Sequence, residues 1–186
     1  MTVAAQTLSP LAYLMRDRKS QVKSDFIDGK VYQMAGASLA HNRIVQAVGS
    51  ELYRHLYDSD CEVLPSDMRV RMGDSYMYPD IVILCGPPEL EDNDVLLNPT
   101  IVIEVLSPST EAYDRGDKSQ KFRTIESLKE YALISQSKPH IEQYVRQSNN
   151  QWLLSETAGR NGEIYFPTID CTLQLADIYR RVQFEK

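Results

Sequence analysis

Two carboxylates stand where a chain rarely places them. Asp80 opens the run DIVIL after Pro79, and Glu104 sits inside TIVIEVLS, each among isoleucine, valine and leucine. Side chains alternate faces along a strand. Ile101, Ile103 and Val105 therefore share one face, and Val102, Glu104 and Leu106 the other. Both faces are apolar, which predicts a strand covered on both sides. An unpaired carboxylate in such a place costs roughly several kcal/mol even after relaxation, so Glu104 needs a partner. If the two strands are neighbours, Asp80 can face it. Two close carboxylates repel, and one is pushed to keep its proton. A hard divalent cation relieves the conflict, since Mg²⁺ takes oxygen ligands, often one or two carboxylates with waters and a phosphate oxygen. The competing reading makes each acid a lone structural charge paired with an arginine. It loses weight when two successive strands carry one acid each.

Behind the Glu104 strand, SPSTEAYDRGDKSQKF supplies a loop and a helix start. Lys118 and Lys121 lie three apart and so share a helical face. A lysine folded back over the strand ends could orient a water or steady charge on a phosphate. The same residues also read as a solvated turn, with Asp114 and Lys118 pairing at i, i+4. Arg69 and Arg71 alternate on one strand face, placed either to neutralise phosphates or to pair with Asp67 and Asp74.

These side chains need elements to hold them. Ser9 and Pro10 predict a short helix start. Asp28-Gly29 predicts a hairpin turn. Ile44, Val48, Leu52 and Leu56 recur every four residues after Ser38, an amphipathic helix of about five turns. CEVLPSDMRVRM, MYPDIVILCG and TIVIEVLS read as three successive strands. Helix is predicted from about Asp114 to Ile125, with a short piece near Leu128. The tail alternates and carries turn pairs, which predicts antiparallel strands, and LQLADIY closes as a short helix. The order predicts an α/β fold with a mixed sheet flanked by helices.

Length and composition bound the rest. The 186 residues predict one domain spanning 1–186, with residues 1–8 flexible. No apolar run approaches the roughly 20 residues needed to span a bilayer, so no membrane partner is expected. Cys61, Cys85 and Cys171 are odd in number and far apart, which reads as free thiols in a reducing cytoplasm. The net charge of −6 excludes a globally basic nucleic-acid binder, so such contact needs a local patch or bridging metal ions. No phosphate-binding glycine loop and no Ser-His-Asp pattern is present.

Asp80 after Pro79, followed by Glu104 on the next strand, resembles the PD-(D/E)XK nuclease superfamily. IDGKVYQMAGASLAHNRI, VLPSDMRVRM, YPDIVILCGPPE, NPTIVIEVLSPSTEAYDRGDKSQKF and SLKEYALIS together resemble the Uma family of small restriction-endonuclease-like bacterial domains. The resemblance implies a restriction-endonuclease-like core and Mg²⁺-dependent (or Mn²⁺-dependent) phosphodiester hydrolysis of nucleic acid, DNA before RNA. It implies Asp80 and Glu104 as metal ligands, with the Val105 carbonyl as a further oxygen donor. The lysine two residues after the strand glutamate is absent, because Leu106 stands there. Lys118 on the following helix fits its role, with Lys121 as the fallback. His41 and Glu51 are auxiliary candidates from the long helix. Double-strand cutting by one small site would favour a homodimer. The alternative is a non-catalytic partner-binding module that kept the fold.

Overall fold

The computed structural model describes residues 8–34, 36–108 and 110–184. Helix α1 (Pro10–Asp17) starts as its sequence requires: Ser9 is extended and its side chain accepts from the Ala12 N–H, while Pro10 sits where a missing donor costs nothing. Of the stretch 1–8 expected to be flexible, residues 1–7 lie outside the described residues. Leu8 is tied down, its N–H donating to the Gly29 carbonyl and its side chain packing beside Tyr13, Leu14 and Phe26. Strands β1 (Ser24–Ile27) and β2 (Lys30–Gln33) form the expected hairpin, with Asp28 and Gly29 both at positive φ (48° and 84°). Helix α2 (Leu39–Leu56) is capped by Ser38, which accepts the His41 N–H, and buries Ile44, Val48, Leu52 and Leu56.

The stretch from Cys61 to Met72 is two strands rather than one. Strand β3 (Cys61–Pro65) and strand β4 (Arg69–Met72) join different sheets. Ser66 and Asp67 break the run at positive φ (36° and 78°), after a proline that cannot donate to a ladder. Strand β5 (Ser75–Met77) follows a tight turn at Gly73. Then come β6 (Ile81–Cys85), the short β7 (Leu90–Glu91) and β8 (Val95–Leu96), and β9 (Ile101–Leu106).

The expected helix over 114–125 is instead α3 (Glu111–Tyr113), a π-helical turn over Asp114–Lys118, and α4 (Ser119–Phe122), bent at Gly116 (φ −94°, ψ −106°). No helix forms near Leu128. There the Lys129 N–H already donates to the Thr100 carbonyl, and the chain is entering β10 (Glu130–Ser135). Strands β11 (His140–Arg146), β12 (Trp152–Ala158), β13 (Glu163–Phe166) and β14 (Cys171–Gln174) and helix α5 (Leu175–Ile178) complete the order.

The six-stranded central sheet runs β12-β11-β10-β9-β6-β3 and is parallel only between β9 and β10. A second six-stranded sheet runs β2-β1-β5-β4-β8-β7, and β13 pairs with β14. This is the mixed α/β architecture that the element order predicts. Parallel neighbours need a crossover connection, and residues 107–129 supply it. Phe122, Ile125 and Leu128 lie over Val102, Leu106, Tyr131 and Leu133 on one face of the central sheet. On the other face α2, β14 and α5 cover Ile81, Ile83, Ile101, Ile103 and Val105. Each of these side chains contributes about 1.5–3 kcal/mol by burial. The alternation read from the sequence is thus realised, and Glu104 points with Val102 and Leu106.

The free-thiol expectation fails for two cysteines. Register places Cys61 opposite Cys85 across β3 and β6, and they form a disulfide; Cys171 is free and buried. Sequence spacing hides this, because the chain between them forms β4 and β5 of the other sheet before returning. The cysteine argument for a reducing compartment therefore falls away. Among the described residues no helix is long and apolar enough to cross a membrane.

Candidate active site

The antiparallel register of β6 and β9 pairs Ile81 with Ile103, so one step further Asp80 faces Glu104. The Asp80 N–H lies 3.4 Å from Glu104 Oε2. Three residues, Tyr78, Pro79 and Asp80, carry the chain from the second sheet into the central one. Asp80 is then held from two sides. Its Oδ2 accepts the Val105 N–H at 2.7 Å and lies 3.1 Å from His41 Nε2. His41 comes from the first turn of α2, and Ser38, which caps that turn, donates to Gln136 Oε1 at 2.6 Å. The N–H and C=O of one strand residue face the same neighbour, so the Val105 carbonyl lies on the Asp80 side of β9.

Lys118 reaches this pair from the crossover. Its ammonium lies 2.8 Å from Glu104 Oε1, 3.6 Å from Asp25 Oδ2 and 3.8 Å from Asp114 Oδ1, and the side chain is only 4% exposed. The Asp114–Lys118 pairing that could have been a solvated turn is buried instead. The Tyr131 hydroxyl donates to the Asp114 carbonyl and anchors the π-helical turn over the strand.

Residues 10–176 match the Uma2 family, described as "putative restriction endonuclease". The chain belongs to the Uma2 family. It is 38% identical over 172 residues to the uncharacterized protein sll1609 of Synechocystis sp., covering 89% of this chain and 97% of that one. It is 31% identical over 179 residues to slr1290 of the same organism, covering 95% and 94%. The crystal structure of a putative nuclease belonging to DUF820 from Anabaena variabilis has the same fold, with a TM-score of 0.78 at 16% identity, covering 95% of this chain and 99% of that one.

Within this Uma2 chain the other candidates separate. Lys121 is not at the site: its ammonium lies 2.6 Å from Asp28 Oδ1 at the hairpin surface. Three residues carry it round the helix, away from the buried side. Glu51 is also elsewhere, paired with Arg54 three residues along α2. Arg69 is buried against Asp17 (2.7 Å), Asp94 (2.9 Å) and the Tyr78 hydroxyl (2.5 Å), and Arg71 pairs with Glu91 at 2.8 Å. Both arginines pair with acids, though not with Asp67 or Asp74.

The electrostatics divide the two facing acids. Burial alone would raise the Asp80 carboxyl, but the hydrogen bond and charge of His41, then Lys118 and the Val105 N–H, hold it below its ordinary value. Burial pushes Glu104 well above the carboxylate range. Lys118 opposes that shift, while Asp80 and Asp114 add to it. Burial would lower the Lys118 ammonium, yet Asp25, Glu104 and Asp114 hold it well above its ordinary value. Burial likewise raises Asp114.

Sequence reasoning missed Asp25 and Tyr113. Asp25 lies on β1 of the second sheet, 3% exposed. Its Oδ1 accepts the Tyr78 N–H at 2.9 Å and its Oδ2 the Tyr113 hydroxyl at 3.2 Å. The one available signal was an acid beside Phe26 and Ile27 in a strand, and a short hairpin strand carries too few residues for that pattern to stand out.

Proposed function

We propose that this chain is a metal-dependent nuclease that hydrolyses phosphodiester bonds in DNA through a PD-(D/E)XK-type site. The observation that carries the reading is one juxtaposition: two acids on neighbouring buried strands, with a buried lysine 2.8 Å from one of them. The donor set fits Mg²⁺ or Mn²⁺. Asp80 and Glu104 offer carboxylate oxygens, and the Val105 carbonyl lies on the same side. The neighbourhood also gathers four carboxyl groups, Asp25, Asp80, Glu104 and Asp114, around the single buried Lys118, a set rich in oxygen donors for a hard cation.

Asp80 and Glu104 would hold the ion, which supplies charge neutralisation at a phosphate oxygen and a more acidic water. The protein's own groups do the rest. His41 and the Val105 N–H keep Asp80 ionised and oriented. Lys118 brings a fixed positive charge that can orient the attacking water or meet the charge that grows on the phosphate. Tyr131 and the buried turn fix the origin of that lysine, so little reorganisation accompanies reaction.

The test is a nicking assay on supercoiled and single-stranded DNA with Mg²⁺ or Mn²⁺. Wild type should cleave, Asp80→Asn and Glu104→Gln should not, and chelator should stop the reaction. A folded wild type that neither cleaves any nucleic acid nor binds a divalent ion would move the assignment to a non-catalytic module.

A further inference from the structure

Asp25 belongs to the second sheet, yet it touches both segments that carry the site. Its Oδ1 holds the Tyr78 N–H, two residues before Asp80. Its Oδ2 holds the Tyr113 hydroxyl and lies 3.6 Å from the Lys118 ammonium. A backbone N–H and a phenol are neutral donors, and a carbonyl or an amide could satisfy both. A buried carboxylate is costly unless something compensates its charge, and the cation it faces is Lys118. From these contacts the geometry points to Asp25 as a positioning residue: it is the counter-ion that holds Lys118 in place beside the acids of the metal site.

This assignment rests on the proposed metal site. Lys118 leans on Glu104 at 2.8 Å. A divalent ion shared by Asp80 and Glu104 would repel that ammonium, and the same ammonium would compete for Glu104. Asp25 and Asp114 give Lys118 partners besides Glu104, so the lysine can stay nearby when an ion takes up that carboxylate. Asp25 also adds to the negative potential that draws a cation in. The second sheet then does more than cover the crossover, since it supplies one carboxylate of the site's charge balance.

The test is calorimetric titration of Mn²⁺ into wild type, Asp25→Asn and Asp17→Asn. Asp25→Asn keeps the shape and the acceptor for Tyr78 but removes the charge. Asp17 is the control, a buried acid of the same neighbourhood that pairs with Arg69 and the Tyr78 hydroxyl. Asp25→Asn should weaken Mn²⁺ by about 10- to 100-fold, as loss of an outer partner of a metal site does, while Asp17→Asn lowers the melting midpoint and leaves Mn²⁺ affinity nearly unchanged. Unchanged affinity in Asp25→Asn, or equal weakening in both variants, overturns the assignment. If Asp25→Asn does not fold, the doubly neutral Asp25→Asn/Lys118→Met protein decides. Recovered folding shows that Asp25 is the counter-ion of Lys118, and continued failure shows that it only holds the backbone. A wild type without Mn²⁺ binding defeats the metal reading itself. The Asp25–Lys118 pairing is then judged by a double-mutant cycle of unfolding midpoints, where additive effects reject it.

Discussion

The Val105 N–H donates to Asp80 Oδ2 at 2.7 Å, so the residue that follows Glu104 in the chain fixes the acid that faces Glu104. One strand thus sets the geometry of both carboxylates. Their environments then pull them apart. Asp80 is held ionised by His41, Lys118 and this N–H, whereas burial drives Glu104 toward its protonated form. Adjacent acids with opposed shifts are the pattern expected of the proposed metal site.

Divalent metal should raise the melting midpoint. A ligand that binds only the folded state stabilises by about 2.7 kcal/mol at a hundredfold excess over its dissociation constant, or about 5–11 °C for a chain of this size. Mn²⁺ should shift wild type by that amount and leave Asp80→Asn unmoved. A wild-type melt indifferent to millimolar Mn²⁺ and Mg²⁺ counts against the site.

The two lysines should behave differently. Lys118→Met should lower the cleavage rate by roughly 10² or more, the loss typical of one preorganised electrostatic group. Lys121→Met removes only an exposed pair with Asp28, worth about 0–1 kcal/mol, and should cleave at nearly the wild-type rate. Plasmid nicking by both variants decides it, and a dead Lys121→Met would show that the crossover docks differently.

Much of this was legible in the chain because it rests on local rules. Strand alternation put Glu104 on the Val102 face, and the four-residue stripe gave α2 with His41 in its first turn. What was not legible depends on distant register. Cys61 meets Cys85, and Asp25 meets Lys118, only after two sheets have formed. The crossover departs from the expected helix because Gly116 bends it into short pieces, whereas residues three apart share a face only on a straight helix.

The facing acids should leave a mark on pH dependence. Glu104 is raised well above its ordinary 4.5. Between pH 4.5 and the raised value, the folded metal-free protein keeps a proton that the unfolded chain has released, so stability falls as pH rises through that window. Asp80 acts oppositely and elsewhere. Held below its ordinary 3.8, it stabilises the fold above that value and ceases to do so as pH falls through the lowered one. Denaturant melts from pH 4.5 upward should show the falling slope, and Glu104→Gln should flatten it. Part will survive, because Asp114 and Glu130 are raised too. A slope untouched by Glu104→Gln would mean that Glu104 stays ionised throughout.

The disulfide gives a stability prediction that is separable from the site. Cys61 and Cys85 close a loop with a sequence separation of 24, which in the chain-entropy view constrains the unfolded state by about 3.5 kcal/mol. Reduction, or Cys61→Ser with Cys85→Ser, should therefore lower the melting midpoint by about 7–14 °C. The metal-induced shift should survive that loss. Cys85 ends β6 while Asp80 precedes its first residue, and five residues of strand span roughly 17 Å. The Asp80 end keeps its own fastening, since the Ser66 N–H donates to the Asp80 carbonyl at 2.9 Å and the Val105 N–H to its side chain. Reduced and oxidised protein, each melted with and without Mn²⁺, give the comparison. Equal metal shifts on two different baselines are expected. A metal shift that vanishes on reduction would show that β3 and β6 transmit the state of the disulfide to the acids, and that the two ends of β6 are not independent.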